Sequence, residues 1–277
     1  MSARRRRQLG WDALGLLVFA TMAFPVYWMI STAFKPGAEI NSYTPKWFPA
    51  HPTLVHFADA LHTPYFWTDA KNSLIVVSVV VLFSLTLAFL AAVALAKFRF
   101  VGRRAFVVAM IAIQMLPANA LIIPLYVVLA RYHQVGKLSG VIVTYMTFAL
   151  PFSIWMLRGF IMGIPPDLEE AAMVDGNTRV GAFVKILLPL VAPGLVATAV
   201  FAFIQAWNEF IFAYILLTDA QKQTLTVWLA GFYGTAHGTD WGGLMAASTL
   251  TAIPVVVFFL FVQRRIAFGL TAGAVRG

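Results

Sequence analysis

The sequence predicts an all-α, polytopic membrane protein with six transmembrane helices. Three observations carry that reading: an apolar excess, a set of long uncharged stretches, and the alternation of basic residues between them. Hydrophobic residues make up 61% of the 277 and charged residues only 11%, with a mean hydropathy of +0.82. A soluble domain carries roughly 45–50% apolar and about 25% charged residues. A water-soluble fold has no interior large enough for that much apolar surface.

Crossing a hydrocarbon core of about 30 Å takes roughly 20 apolar residues in a helix. Six stretches meet that length: 13–34, 72–96, 105–130, 138–157, 194–218 and 241–263, and only the fifth contains a charge, Glu209. The first follows the basic run Arg4 to Arg7, as a secretory signal would. It is longer than the roughly 7–15 apolar residues of such signals and no clear Ala-x-Ala site follows it, so it is read as an uncleaved span.

Basic residues that flank spans are retained on the cytoplasmic side. With the N-terminus inside, 14 of the 20 Lys and Arg fall in inside segments and 6 in outside ones. The expected organisation is a cytoplasmic N-terminus over 1–12, a single transmembrane domain over 13–263 and a cytoplasmic tail over 264–277. The net charge of +9 is thereby assigned to the membrane surface, and no nucleic-acid partner is expected. Cysteine is absent, which excludes disulfides, thiolate-bound zinc and thiol nucleophiles.

Two loops are longer than connection requires, one outside over 35–71 and one inside over 158–193. In the inner loop Pro165 and Pro166 bar helix upstream. Asp167 stands three residues before Glu170, a capping-box spacing, and Gly176 supplies a left-handed terminator. About two turns remain, Leu168 to Asp175, too short to hold without packing or a partner. Helical spacing puts Leu168, Ala171, Ala172 and Asp175 along one side, where the alanines admit another backbone. On the residues alone, both an amphipathic helix at the membrane interface and a docking element fit.

The chain has no Gly-x-x-x-x-Gly-Lys-Ser/Thr, so it lacks the phosphate cradle for ATP. His51, His56, His62, His133 and His237 fall in outside loops with no His-Glu-x-x-His spacing. There is no Gly-x-Ser-x-Gly elbow and no carboxylate pair within a span. No catalytic residue, metal site or cofactor is therefore expected in this chain.

Glu209 lies deep in the fifth stretch, where a charge costs about 2.5–3.5 kcal/mol on the lenient insertion scale. With Gln205, Trp207 and Asn208 it forms a polar cluster that either lines a path through the bilayer or bonds to a neighbouring helix. Asn119, beside Pro117 and ahead of Pro124, carries the same two readings, because prolines free carbonyls that need a partner. A proton-relaying Glu209 would make the chain an ion-coupled carrier. Such carriers usually show several intramembrane ionisable groups or paired broken helices, and neither is visible. A membrane scaffold or sensor subunit is a third class.

The run Glu170-Ala171-Ala172, three residues, Gly176, nine residues, then Ile186-Leu187-Leu188-Pro189 resembles the EAA-loop signature of ABC importer permeases at every fixed position and spacing. The resemblance implies a type I ABC importer permease fold with a cytoplasmic coupling helix that docks into a groove on a separate ATPase. It implies ATPase-coupling roles for Glu169, Glu170, Ala171, Ala172, Asp175, Gly176, Ile186 and Pro189. Asn72-Ser73-Leu74, Trp207-Asn-Glu-Phe210, Thr224 to Phe232, Trp241 to Ser248 and the ending Gly269 to Gly277 extend the likeness to MalG-type subunits of carbohydrate importers. Trp228 departs from it, standing where a small residue is expected.

That resemblance implies a heterodimer with a second permease, an ABC ATPase dimer holding ATP and Mg, and an extracytoplasmic solute-binding protein. It also implies a di- or oligosaccharide substrate and a bacterial or archaeal cell membrane. A non-sugar ABC importer is the alternative within the family. The Gly-rich tail after Arg265 is expected to touch the ATPase.

Overall fold

The computed structural model describes residues 3–233 and 239–274, with side chains from Gln8 to Gln263 apart from Leu9 and 234–238. The side chains of Arg4 to Arg7, His237 and the tail beyond Gln263 lie outside the described residues. The described elements are helices and turns. In order they are α1 (Ala3–Ala33), α2 (Gly37–Ile40), α3 (Val55–His62), α4 (Phe66–Lys97), α5 (Arg103–Gln114), α6 (Ile122–Arg131), α7 (Leu138–Met162), α8 (Asp167–Val174), α9 (Arg179–Ala182), α10 (Leu188–Asn208), α11 (Ile211–Leu216), α12 (Leu225–Ala230) and α13 (Trp241–Ala274).

Among the described residues, five helical runs are long and apolar enough to cross a membrane: Gly10–Ala33, Phe66–Lys97, Leu138–Met162, Arg179–Asn208 and Trp241–Gln263. The pair Arg103–Gln114 and Ala118–Arg131 makes a sixth if it is taken as one broken span, bent by 99°. Prolines sit inside α1, α7, α10 and α13, at Pro25, Pro151, Pro193 and Pro254. Membrane helices tolerate them because neighbouring groups re-satisfy the freed carbonyls.

Two expected continuous stretches are interrupted. Within 105–130, α5 stops at Gln114, and Pro117 takes extended geometry (φ −64°, ψ 124°) before a tight turn over Ala118–Leu121 leads into α6. Pro117 has no N–H to donate and pushes Leu116 away from the helical region, so the helix ends there. Within 194–218, the helix begins earlier, at Leu188, and ends at Asn208; Glu209 is extended (ψ 128°) and α11 restarts at Ile211.

The chain forms two compact units, Met1–Trp67 with Trp228–Ile253, and Thr68–Val227 with Pro254–Gly277. In the first, α1 ends in an aromatic girdle: Trp28 meets Trp47 edge-on at 5.9 Å, and the Tyr27 hydroxyl donates to the Trp47 carbonyl at 2.6 Å. Such residues favour the membrane–water boundary. Gly242 sits against the His56 ring, and any side chain there would overlap it.

The second unit contains a hydrophobic core cluster. Ala88, Phe89, Ala92 and Leu95 of α4 pack with Met110 of α5, Ile154, Leu157 and Ile161 of α7, Leu187, and Val191 of α10. α7 and α10 cross closely enough that a side chain at Gly194 would collide with the Phe160 ring.

Candidate functional site

The segment between α7 and α10 carries the EAA-type sequence. Pro166, fixed at φ −63°, opens α8, and its carbonyl accepts from the Glu169 and Glu170 amides at 3.1 and 3.3 Å. Asp167 is therefore the first helical residue, and the side-chain capping box expected of Asp167 and Glu170 does not form. The proline supplies the geometry that a cap would otherwise set. Asp167, Glu169 and Glu170 still crowd the first turn, where acidic groups suit the positive end of the helix dipole.

The C-terminal end obeys its local chemistry. Gly176 is left-handed (φ +89°), the Asn177 amide reaches the Ala172 carbonyl at 3.0 Å, and the Gly176 amide reaches Met173 at 3.1 Å. These two bonds are a Schellman motif, which satisfies carbonyls that the helix leaves orphaned. The Asn177 side chain adds a bond to Ala172, and Lys185 Nζ donates to Asn177 Oδ1 at 3.3 Å. The Thr178 hydroxyl then caps α9 by accepting from the Gly181 amide at 3.0 Å.

The two alanines of α8 do not share a side. Ala172 is buried, whereas Leu168, Ala171 and Asp175 are exposed. Glu169 forms an ion pair with Lys97 at the end of α4. Glu170 and Val174 remain exposed. Downstream, Phe183–Leu187 widens into a π-helical turn; Leu187 is fully buried in the core, Ile186 is partly buried and Pro189 exposed. One side of the segment is thus anchored on its own chain and the other left open.

The second feature is a cavity of about 410 Å³ in the second unit, bordered by the breaks after α5 and α10. Asn119, Gln205 and Glu209 line it together with Gln114, Tyr145 and Phe148. Glu209 acts as the missing cap of α11: its carboxylate accepts from the Phe212 amide at 2.9 Å and the Ala213 amide at 3.2 Å. The Glu209 carbonyl, freed by the break, accepts from the Thr226 hydroxyl at 2.8 Å and the Tyr145 hydroxyl at 3.3 Å. The two amides at the start of α11 and the carbonyl at the break thus take their partners from the chain itself.

Trp207 and Asn208, expected in the same cluster, are placed elsewhere. Trp207 is buried and stacks on Phe203 at 5.6 Å, while Asn208 is exposed and does not line the cavity. One helical residue turns about 100°, so four neighbours cannot all face one side. Reading the sequence missed Gln114, whose amide donates to the Phe148 carbonyl at 3.1 Å, and Tyr145. The spacing of Glu209 to Phe212 was the available signal for the cap.

Several motif residues have structural explanations. Asn72 Nδ2 donates to the Gln223 carbonyl at 3.0 Å, and Ser73 Oγ accepts from the Leu225 amide at 2.7 Å. Trp228 is 7% exposed and packs between Phe66 and Phe232, with ring centroids 5.0 and 4.9 Å away. The unexpected large residue therefore fills an aromatic core and not a surface.

In the first unit the segment after α1 is organised by Glu39. Its buried carboxylate accepts from the Ala50 and His51 amides at 3.0 and 3.2 Å, with Lys46 at 3.8 Å. The Ala50 bond holds its carboxyl below the ordinary carboxylate range, helped by Lys46 and His51 and opposed by burial. Lys35 is 2% exposed and lies over the Trp28 ring at 4.1 Å. Desolvation lowers its pKa, and Glu39 opposes that shift.

Residues 84–271 match the family described as "Binding-protein-dependent transport system inner membrane component". The diacetylchitobiose uptake system permease DasC of Streptomyces coelicolor is 45% identical over 266 residues, covering 96% of each chain. The trehalose/maltose transport system permease MalG of Thermococcus litoralis is 34% identical, covering 95% of each. A bacterial ABC transporter for import of the acidic polysaccharide alginate has the same fold, with a TM-score of 0.80, 23% identity, and coverage of 95% of this chain and 98% of that one. With its apolar spans, its broken helices and its EAA-type segment, the chain belongs to the binding-protein-dependent transport system inner membrane components and is an integral-membrane permease subunit of an ABC importer.

Proposed function

We propose that this permease forms, with a second permease, the path for a di- or oligosaccharide handed over by an extracytoplasmic binding protein. In this reading α8 is the docking element for a cytoplasmic ATPase dimer that holds ATP and Mg. The observation that carries it is α8 itself: two turns, closed at both ends and anchored through Ala172 and the Glu169–Lys97 pair, with Glu170, Ala171, Val174 and Asp175 turned outward. Two turns are unstable alone, so their order comes from the body of the permease. A motor pushing on such an element moves the spans instead of unfolding a loop. Glu169, Asp175, Gly176, Ile186 and Pro189 shape the element, and Glu170 and Ala171 meet the motor.

The topology belongs to the same proposal: both termini and the loop 158–193 are cytoplasmic, and 13–263 acts as one permease domain in a bacterial or archaeal cell membrane. The distribution of Lys and Arg supports it. The carbohydrate reading draws on the diacetylchitobiose and trehalose/maltose systems to which the chain is similar. The cavity supports it too, since Asn119 and Gln205 offer neutral amide donors and acceptors beside the Phe148 ring, the chemistry that suits hydroxyl-rich cargo. Both Glu209 oxygens bond to backbone amides, which favours a fixed cap over a proton relay.

The absence of native cysteine makes the test clean. Ala171→Cys in the permease without its ATPase is labelled by a membrane-impermeant maleimide from the cytoplasmic side only, and the docked ATPase shields it. Glu170→Arg is expected to abolish co-purification of the ATPase or to uncouple hydrolysis from oligosaccharide uptake. Labelling from the outer face, or fully coupled uptake by Glu170→Arg, refutes the docking role.

A further inference from the structure

We propose that an arginine-lined recess between the α4–α5 connection and α7 binds the phosphate headgroup of an anionic membrane lipid. The recess has a volume of about 850 Å³, and Arg99, Arg103, Arg104 and Arg158 line it with no acidic residue among them. The ion pairs among the described residues are Lys46–Glu39, Lys97–Glu169 and Lys222–Asp219, so none of these four arginines has an internal counter-ion.

Their hydrogen bonding is also incomplete. Arg103 Nη1 donates to the Phe98 carbonyl at 3.3 Å, while Arg158 Nε is buried with no partner. A buried guanidinium N–H without an acceptor is costly, and four converging cations repel one another. One multivalent oxyanion relieves both costs, and the guanidinium fork matches phosphate oxygens two at a time. The start of α5 opens on the same recess: Gly102 is left-handed (φ +88°) and offers no side-chain cap, and although the Arg103 amide donates to the Phe100 carbonyl at 3.4 Å, the Arg104 and Ala105 amides are left for an anion.

Position selects the source of the phosphate. The recess lies where α4 ends at Lys97 and one turn before α7 ends at Met162, the depth at which spans leave the hydrocarbon. Phe98, Phe100 and Val101 stand exposed around it. An apolar rim beside a basic recess fits acyl chains below a headgroup, whereas a free anion has no use for the rim. The site is separate from the cavity near Glu209 and does not depend on the cargo.

The test uses the purified importer complex in nanodiscs of phosphatidylcholine with or without phosphatidylglycerol, followed by native mass spectrometry of retained lipid. The wild type is expected to retain phosphatidylglycerol. Each arginine removed should weaken retention about fivefold, the worth of one basic residue at an anionic surface. The exposed pair Arg99→Gln and Arg104→Gln tests this without touching a buried side chain, and Arg158→Gln tests the unpartnered Nε. Arg131→Gln, distant in the chain, should change nothing. Equal retention by wild type and the Arg99/Arg104 double variant overturns the proposal. So does displacement of the lipid by inorganic phosphate at matched concentration, which assigns the recess to a soluble anion.

Discussion

The chain interrupts its helices in two different ways, and the contrast between the segment around α8 and the break at Glu209 shows what each environment demands. Around α8 the interruption uses Pro166 to begin and Gly176 to end, and the backbone closes on itself. The side chains that help, Glu169 with Lys97 and Asn177 with Ala172, work on the inner side, and the outer face is left open. At Glu209 a full carboxylate and two hydroxyls make four bonds to three groups that the break exposes, the Phe212 and Ala213 amides and the Glu209 carbonyl. An exposed loop has solvent as its default partner; the break at Glu209, just past the Arg179–Asn208 run and beside a cavity, takes its partners from its own chain.

If that contrast holds, the largest effect belongs to Glu209. Glu209→Ala leaves the Phe212 and Ala213 amides, both on buried residues, without acceptors. Each orphaned donor costs about 1–3 kcal/mol, so a loss of about 3 kcal/mol is expected in the unfolding of the detergent-solubilised complex. Glu209→Gln keeps one acceptor oxygen and should lose roughly half as much, with transport retained in proportion to folded protein. A Gln variant as inactive as the Ala variant, at full stability, would show that ionisation and not capping is what matters there.

Gly176 should give the next largest effect, and one that grades with backbone preference. A valine at φ +89° meets the steric penalty of the left-handed region, roughly 1–2 kcal/mol. Asparagine tolerates that region and should be nearly neutral. No atom lies within 4 Å of a side chain's first carbon at this position, so the difference is conformational and not a clash. Hydrogen exchange of the α8 amides should rise for Gly176→Val and not for Gly176→Asn. Equal protection in both would mean that contacts, not the Schellman turn, hold α8.

This difference also explains what the sequence made legible. Pro165, Pro166 and Gly176 act through their own φ angles, so the boundaries of α8 were visible without tertiary knowledge, apart from the one-residue shift that removed the capping box. The side that α8 buries was not visible, because Ala172 faces inward only on account of α9 and the turn over Phe183–Leu187. Pro117 and Asn119 flagged trouble in the third stretch, but the 99° bend depends on what packs around it. Glu209 was singled out as needing a partner; that its partners are amides three and four residues onward followed from a break that local composition hides. Arg158 joins Arg99, Arg103 and Arg104 only through the packing of α7 on α5, which no local pattern encodes.

Glu39 sharpens the comparison at its smallest effect, since it uses the Glu209 device in a segment outside the spans. Its carboxylate also bonds to two backbone amides, those of Ala50 and His51, with Lys46 at 3.8 Å. Its folded pKa lies below the unfolded one, chiefly because of the Ala50 bond, so the stabilisation is fully present above the unfolded carboxylate range. It is lost as pH falls through the lower, folded value. At neutral pH Glu39→Gln should therefore show its whole cost, and the difference should shrink on acidification as the wild type loses order around Ala50 that the Gln variant loses less steeply. Amide exchange at Ala50 and His51 across that acid range reads this directly. An acid transition unchanged by Glu39→Gln would place the organising role of this segment on the aromatic girdle of Trp28 and Trp47, and would leave carboxylate capping to the break at Glu209.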